Sequence, residues 1–119
     1  MKTTTTATRV CPIEKTVKIF GGKWKASILF HLSEGTCRFN ELRRRIPAVS
    51  QGMLTQQLRE LERDGLVNRE QFNEIPPRVE YSLSEISRSL EAIFQDIEKW
   101  GKCNSEAVES ARARYDSRT

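Results

Sequence analysis

Histidine is almost missing from this chain, with His31 the only one among 119 residues. That weakens any reading as a metal centre or an acid–base network, in which imidazole is a common participant. Cysteine is scarce as well. Cys11, Cys37 and Cys103 are odd in number, widely spaced and without a CxxC pair, so neither a disulfide framework nor a zinc site is expected. No Gly-rich phosphate loop and no Ser/His/Asp motif stands out, and with them goes the expectation of an enzyme or of any cofactor. No apolar run approaches the roughly 20 residues of a bilayer span. The opening MKTTTTATRVCP has a lysine but no apolar segment, so it does not read as an export signal. The expectation is a cytoplasmic protein with reduced thiols and no contact with membrane.

What the chain does carry is charge, unevenly placed. Residues 1–50 hold ten Lys/Arg against Glu14, Glu34 and Glu41, a balance of +7, whereas residues 51–119 are −3. A basic first half suits a surface that meets phosphate. The hydrophobic share of 37% and the length allow one modest core and little more.

Periodicity divides the chain further. Residues 1–10 are Thr-rich and read as a flexible arm. Pro12 opens a helix carrying Ile13, Val17 and Phe20, stopped by Gly21-Gly22. Residues 23–33 form a second helix through Trp24, Ile28 and Leu32, with Leu29 beside them, and a short strand is possible at 37–39. Residues 39–46 make a short helix ended by Pro47. Ser50 is placed to cap a helix over 51–64, whose Leu54, Leu58 and Leu61 share one face. Residues 66–72 and 79–83 read as two strands joined by a Pro76-Pro77 loop, and a long helix with Ile86, Leu90, Ile93, Phe94, Ile97 and Trp100 follows Ser84. Helix, helix, short helix, helix, hairpin and long helix is the order of a winged helix-turn-helix: mainly α, with a small β-hairpin wing. Residues 11–103 are assigned to that domain, with a dimerisation helix at about 85–102, and 104–119 to a polar tail.

The residues themselves go beyond element order. FGGKWKASILFHLSEGTCRFNELRRRIPAVSQGMLTQQLRELERDGLVNRE followed by PPRVEYSLSE resembles the HxlR-type family of bacterial transcription regulators, from about Cys11 to Trp100. The resemblance implies a DNA-binding homodimer, expected to act as a repressor on an inverted-repeat operator in double-stranded DNA.

With its leucines inward, the 51–64 helix turns Ser50, Gln51, Thr55, Gln56 and Arg59 outward as candidate base contacts, and Gly52 would permit close approach to DNA. Gln can pair with adenine, Arg with guanine, and the Thr methyl can touch thymine. Lys23, Lys25, Arg38, Arg43 and Arg44 are candidates for phosphate. Arg45 completes the run, but consecutive helical residues diverge by about 100°, so the three cannot all face one way. Arg78, beside the stiff proline pair, is a candidate for the minor groove or an ordinary solvated charge.

The long helix carries more large apolar side chains than one small domain can bury. Ile86, Leu90, Ile93, Phe94, Ile97 and Trp100, with Ile13 and Val17, are therefore expected at a dimer interface. Cys11 sits at a helix N-terminus, where thiolate is favoured. The family resemblance implies a role for Cys11 alone in sensing an oxidant or a small electrophile; Cys103, just after the long helix, is a possible disulfide partner if the first and last helices meet across the dimer. A small residue filling that interface is the other reading of Cys11. A non-covalent ligand, or a winged helix used only for protein contact, remains an alternative.

Overall fold

The computed structural model describes residues 11–118; the expected arm at 1–10 lies outside the described residues. Helix α1 (Pro12–Phe20) begins on Pro12, whose missing N–H costs nothing in a first turn. It ends where Gly21 passes the Val17 carbonyl so closely that a Cβ there would lie 2.5 Å from the oxygen. Helix α2 (Lys25–Ser33) starts two residues later than the periodicity predicts and buries Ile28, Leu29 and Leu32.

Strand β1 (Cys37–Arg38) leads directly into α3 (Phe39–Arg45). Glu41 accepts a hydrogen bond from the Arg38 N–H at 2.8 Å, the returning half of a capping box. After Pro47 the chain enters α4 (Gln51–Arg63), capped by Ser50 Oγ, which accepts from the Met53 N–H at 3.1 Å. Leu54, Leu58 and Leu61 are buried at the centre of the core.

The exit from α4 is a Schellman turn. Gly65 takes φ +78°, the Leu66 N–H donates to the Leu61 carbonyl and the Gly65 N–H to Glu62. The apolar pair that accompanies this motif, Leu61 and Leu66, is buried. Strands β2 (Val67–Phe72) and β3 (Arg78–Leu83) form the antiparallel hairpin, with Val67 opposite Leu83 and Phe72 opposite Arg78. β1 adds to the other edge of β3, pairing Cys37 with Tyr81, so the strand order is β1-β3-β2.

The single helix expected after Ser84 is two. Helix α5 (Glu85–Arg88) is separated at Ser89 from α6 (Leu90–Asp116). Serine hydroxyls compete with helical hydrogen bonding here. Ser87 Oγ donates to the Leu66 carbonyl at 2.6 Å and Ser89 Oγ to the Ile86 carbonyl at 3.0 Å. Ser84 Oγ donates to the Gly65 carbonyl at 2.7 Å, so the turn after α4 is clasped to the start of α5. α6 runs unbroken past residue 103, and most of the polar 104–119 segment is helix.

Phe94, expected among the interface residues, instead belongs to this chain's own core: it is 5% exposed and meets Phe20 edge-on, ring centroids 5.9 Å apart. Leu90 is half-buried against the same cluster. A helix lying on a small domain must give its innermost stripe to that domain, and positions 90 and 94 are that stripe.

Candidate nucleic-acid interface

The two faces of α4 are chemically opposite. Its leucines are buried, whereas Gln51, Gly52, Gln56 and Arg59 are exposed, as is Ser50 at its cap. Thr55 is half-buried, and its hydroxyl donates to the Gln51 carbonyl at 2.9 Å. Met53 joins this face, exposed near the helix start. It was omitted from the sequence-based set, although its position 100° from Leu54 gives it away. Short polar groups and one soft apolar side chain in the N-terminal half of a helix, with a guanidinium just past its middle, can address base edges in a major groove.

The candidate phosphate residues do not behave alike. Arg38, Arg43 and Arg44 are exposed around α3. Lys23 is exposed too, its ammonium 4.9 Å from the Trp24 ring centroid. Lys25 is already engaged: its Nζ lies 2.7 Å from Glu60 Oε1, with 14% of the lysine side chain and 27% of the glutamate exposed. Its charge is spent within the chain rather than offered to DNA. Arg45 leans toward Glu34 at 3.9 Å, the odd one of its run.

Arg78 is not at the wing tip. It opens β3, stacks over Phe72 with its guanidinium carbon 4.1 Å from the ring centroid, and pairs with Glu74 at 3.1 Å and Glu80 at 3.3 Å. Two carboxylates and an aromatic face hold it back against the sheet, which is the physical reason it is not a free minor-groove probe. The tip instead presents Ile75, fully exposed, ahead of Pro76 and Pro77. Between wing and α3 lies an open cleft of about 450 Å³ lined by Arg38, Asn40, Arg44 and Pro77 among others.

Sequence periodicity offers no signal for the Glu60–Lys25 pair, because the partners belong to different helices 35 positions apart. Glu60 also accepts from Gln56 Nε2 at 3.1 Å. Lys25 first, and Gln56 after it, hold the Glu60 carboxyl below the usual carboxylate range.

The three cysteines are free; Cys11 and Cys103 are exposed and Cys37 is buried. Cys11 precedes α1 and makes no full cap hydrogen bond, yet the backbone N–H groups of Glu14 and then Ile13 draw its thiol below the ordinary value. Burial pushes the Cys37 thiol up instead, against a smaller pull from Arg45. Ile13 and Val17 on α1, Ile86 on α5 and Ile93, Ile97 and Trp100 on α6 are all exposed, and they leave apolar surface with no cover from the described residues. A groove of about 320 Å³ runs between α2 and α6, lined by Phe30, Phe94 and Ile97. Among the described residues no His/Cys/Asp/Glu group could hold a metal ion, and no helix is long and apolar enough to cross a membrane.

A family model for HxlR-like helix-turn-helix proteins matches residues 19–109, spanning every element from the end of α1 into α6. The chain belongs to the HxlR-like helix-turn-helix family. It is 50% identical over 103 residues to the uncharacterized HTH-type transcriptional regulator YybR of Bacillus subtilis (strain 168), covering 87% of this chain and 82% of that protein. Among solved structures it is similar to the redox regulator HypR in its reduced form, at TM-score 0.80 and 49% identity, covering 84% of this chain and 99% of that one. It is also similar to the reduced form of the transcriptional regulator YodB from B. subtilis, at TM-score 0.67 and 35% identity over 78% of this chain and 92% of that one. The fold is therefore a winged helix-turn-helix, and the chain stands with DNA-binding transcriptional regulators of the HxlR type rather than with enzymes.

Proposed function

We propose that this HxlR-type regulator works as a cytoplasmic homodimer that represses transcription by binding an inverted-repeat operator. In this reading α4 enters the major groove, with Ser50, Gln51, Thr55, Gln56 and Arg59 toward the bases and Lys23, Arg38, Arg43 and Arg44 toward phosphate. The observation that carries it is the division of α4 into a wholly buried leucine face and an exposed polar face. A second copy would cover the apolar surface of α1, α5 and α6 and set two α4 helices on successive turns of one duplex.

The signal we propose is covalent. Cys11 is exposed, and its thiol is pulled toward the thiolate, the form that attacks oxidants and electrophiles. HypR has been solved in reduced and oxidized forms, and YodB in reduced and diamide-treated forms. Oxidation here would join Cys11 to Cys103 of the second copy, the two thiols giving up two hydrogens to the oxidant as the S–S bond forms. The groove between α2 and α6 supports a second reading, in which a small apolar ligand is the signal.

Fluorescence anisotropy with a random duplex and with inverted-repeat duplexes, at rising salt, tests the DNA reading. A dimer that engages four to eight phosphates through these cations should give log K against log salt a slope of about −4 to −7. Absent or salt-insensitive binding would instead indicate a winged helix used for protein contact.

A further inference from the structure

Glu60 is a carboxylate on the helix that the reading above sends into DNA, and an acidic group there needs a reason. Its two oxygens have separate partners. Oε1 lies 2.7 Å from Lys25 Nζ of α2, and Oε2 accepts from Gln56 Nε2 at 3.1 Å, one turn back along α4. Lys25 cancels the charge that would otherwise repel phosphate, and the ion pair fixes the carboxylate because Lys25 is largely buried.

The consequence falls on Gln56. A carboxylate can only accept, so the group facing it must be the amide NH2. The amide therefore cannot turn over, and its oxygen is left on the exposed side, where no donor among the described residues reaches it. We propose that Glu60, anchored by Lys25, is a positioning residue for base reading: it locks Gln56 to present its carbonyl oxygen, so that this position prefers a base with an exocyclic amino group. In the major groove adenine offers N6–H2 and cytosine N4–H2, whereas guanine and the polar edge of thymine offer only acceptors. The second Nε2 hydrogen stays available for adenine N7. A free glutamine amide, in contrast, can flip and donate to guanine or thymine as well.

This inference rests on the DNA-binding reading, and two measurements separate their failures. The first uses the full chain without DNA. In NMR spectra the Gln56 side-chain NH2 should show one downfield, slowly exchanging proton that is lost in Glu60→Gln, since a second amide can either accept or donate. The second is selection from a randomised duplex library. Wild type should favour adenine or cytosine over guanine or thymine by about tenfold at one position of each half-site. Gln56→Ala should abolish that preference. Glu60→Gln, assayed well below its melting temperature, should reduce it to about twofold or less while the preferences at the other positions hold. A merely structural Glu60 would weaken every position together, and that pattern overturns the proposal, as does an unchanged preference in Glu60→Gln. An absent NH2 signature overturns it even if DNA binds. A wild-type chain that enriches no sequence brings down the DNA reading and this inference with it, whatever the NMR gives.

Discussion

Leu58 and Arg59 are neighbours in sequence and sit on opposite faces of α4, so replacing each by alanine should produce opposite phenotypes. Leu58 is 1% exposed at the centre of the core. Truncating such a leucine removes transfer free energy and leaves a cavity, about 2–5 kcal/mol in all. Domains of this kind hold only about 5–15 kcal/mol in total. At roughly 4 °C per kcal/mol for a domain of this length, Leu58→Ala should lower the melting temperature by about 8–20 °C. Arg59 is exposed and makes no ion pair among the described residues, so Arg59→Ala should stay within about 0.5 kcal/mol, or 2 °C. Operator binding should reverse the order. A guanidinium that reads guanine through two hydrogen bonds is worth about 1–3 kcal/mol, a loss of roughly 5- to 150-fold in affinity. Leu58→Ala, assayed at 10 °C where it remains folded, should bind within about threefold of wild type, since no contacting group has changed. Thermal circular dichroism at one fixed protein concentration and anisotropy on the selected operator are sufficient, the fixed concentration being needed because the proposed dimerisation would itself move the melting temperature. If Arg59→Ala melts like a core variant, or leaves operator affinity untouched, the assignment of faces on α4 is wrong.

Ile97→Asp with Trp100→Asp should convert a dimer to a monomer in sedimentation velocity, because a second copy would have to bury two carboxylates in an apolar stripe; an unchanged sedimentation coefficient rejects that face as the interface. Cys11→Ser should leave reduced-state DNA affinity within about twofold and abolish the response to diamide, measured by anisotropy before and after treatment; a retained response removes Cys11 from the switch. The Glu60 carboxyl is depressed in the folded chain by Lys25 and Gln56, with a lesser pull from Arg63. Its contribution to stability is therefore complete above the unfolded pKa of about 4.3 and is lost as pH falls through the lower folded value. Glu60→Gln should flatten that acid limb in a plot of melting temperature against pH, and identical limbs would show that the pair adds nothing.

Much of the fold is legible in the sequence because local signals agree with one another. Ser50 caps, the leucines repeat, Gly65 stops and Leu66 turns in, each a choice made within a few residues of the next. The family could also be read from the FGGKW turn and the SQ-x-M-L-T run, and the comparison over residues 19–109 bears that out. The parts that could not be read depend on contacts across elements. Arg78 looks like a free charge beside two prolines until β2 brings Phe72 opposite it and the loop brings Glu74 within reach. Lys25 looks like a phosphate ligand until α2 and α4 cross and Glu60 takes it up. Charge counting treats each cation as available, whereas packing decides which are.

The same logic sets the division of labour along α6. Its apolar residues form one broad stripe in sequence, but the domain beneath can cover only part of a helix that is about 40 Å long. Leu90 and Phe94 go to the core, and Phe94 is tied to α1 through Phe20. Ile93, Ile97 and Trp100 stay outside, with Trp100 63% exposed. A tryptophan left that bare at the middle of a long helix is costly in water and valuable at an interface, where its indole can be covered while the N–H finds a partner. Because Phe94 and Ile97 lie one turn or less apart, any shift of a second copy against Ile97 would press on the residues that seat α2 and, through Lys25 and Glu60, on α4. A signal at the proposed dimer seam would in that way have a short physical route to the proposed reading helix, along contacts that already exist in one chain.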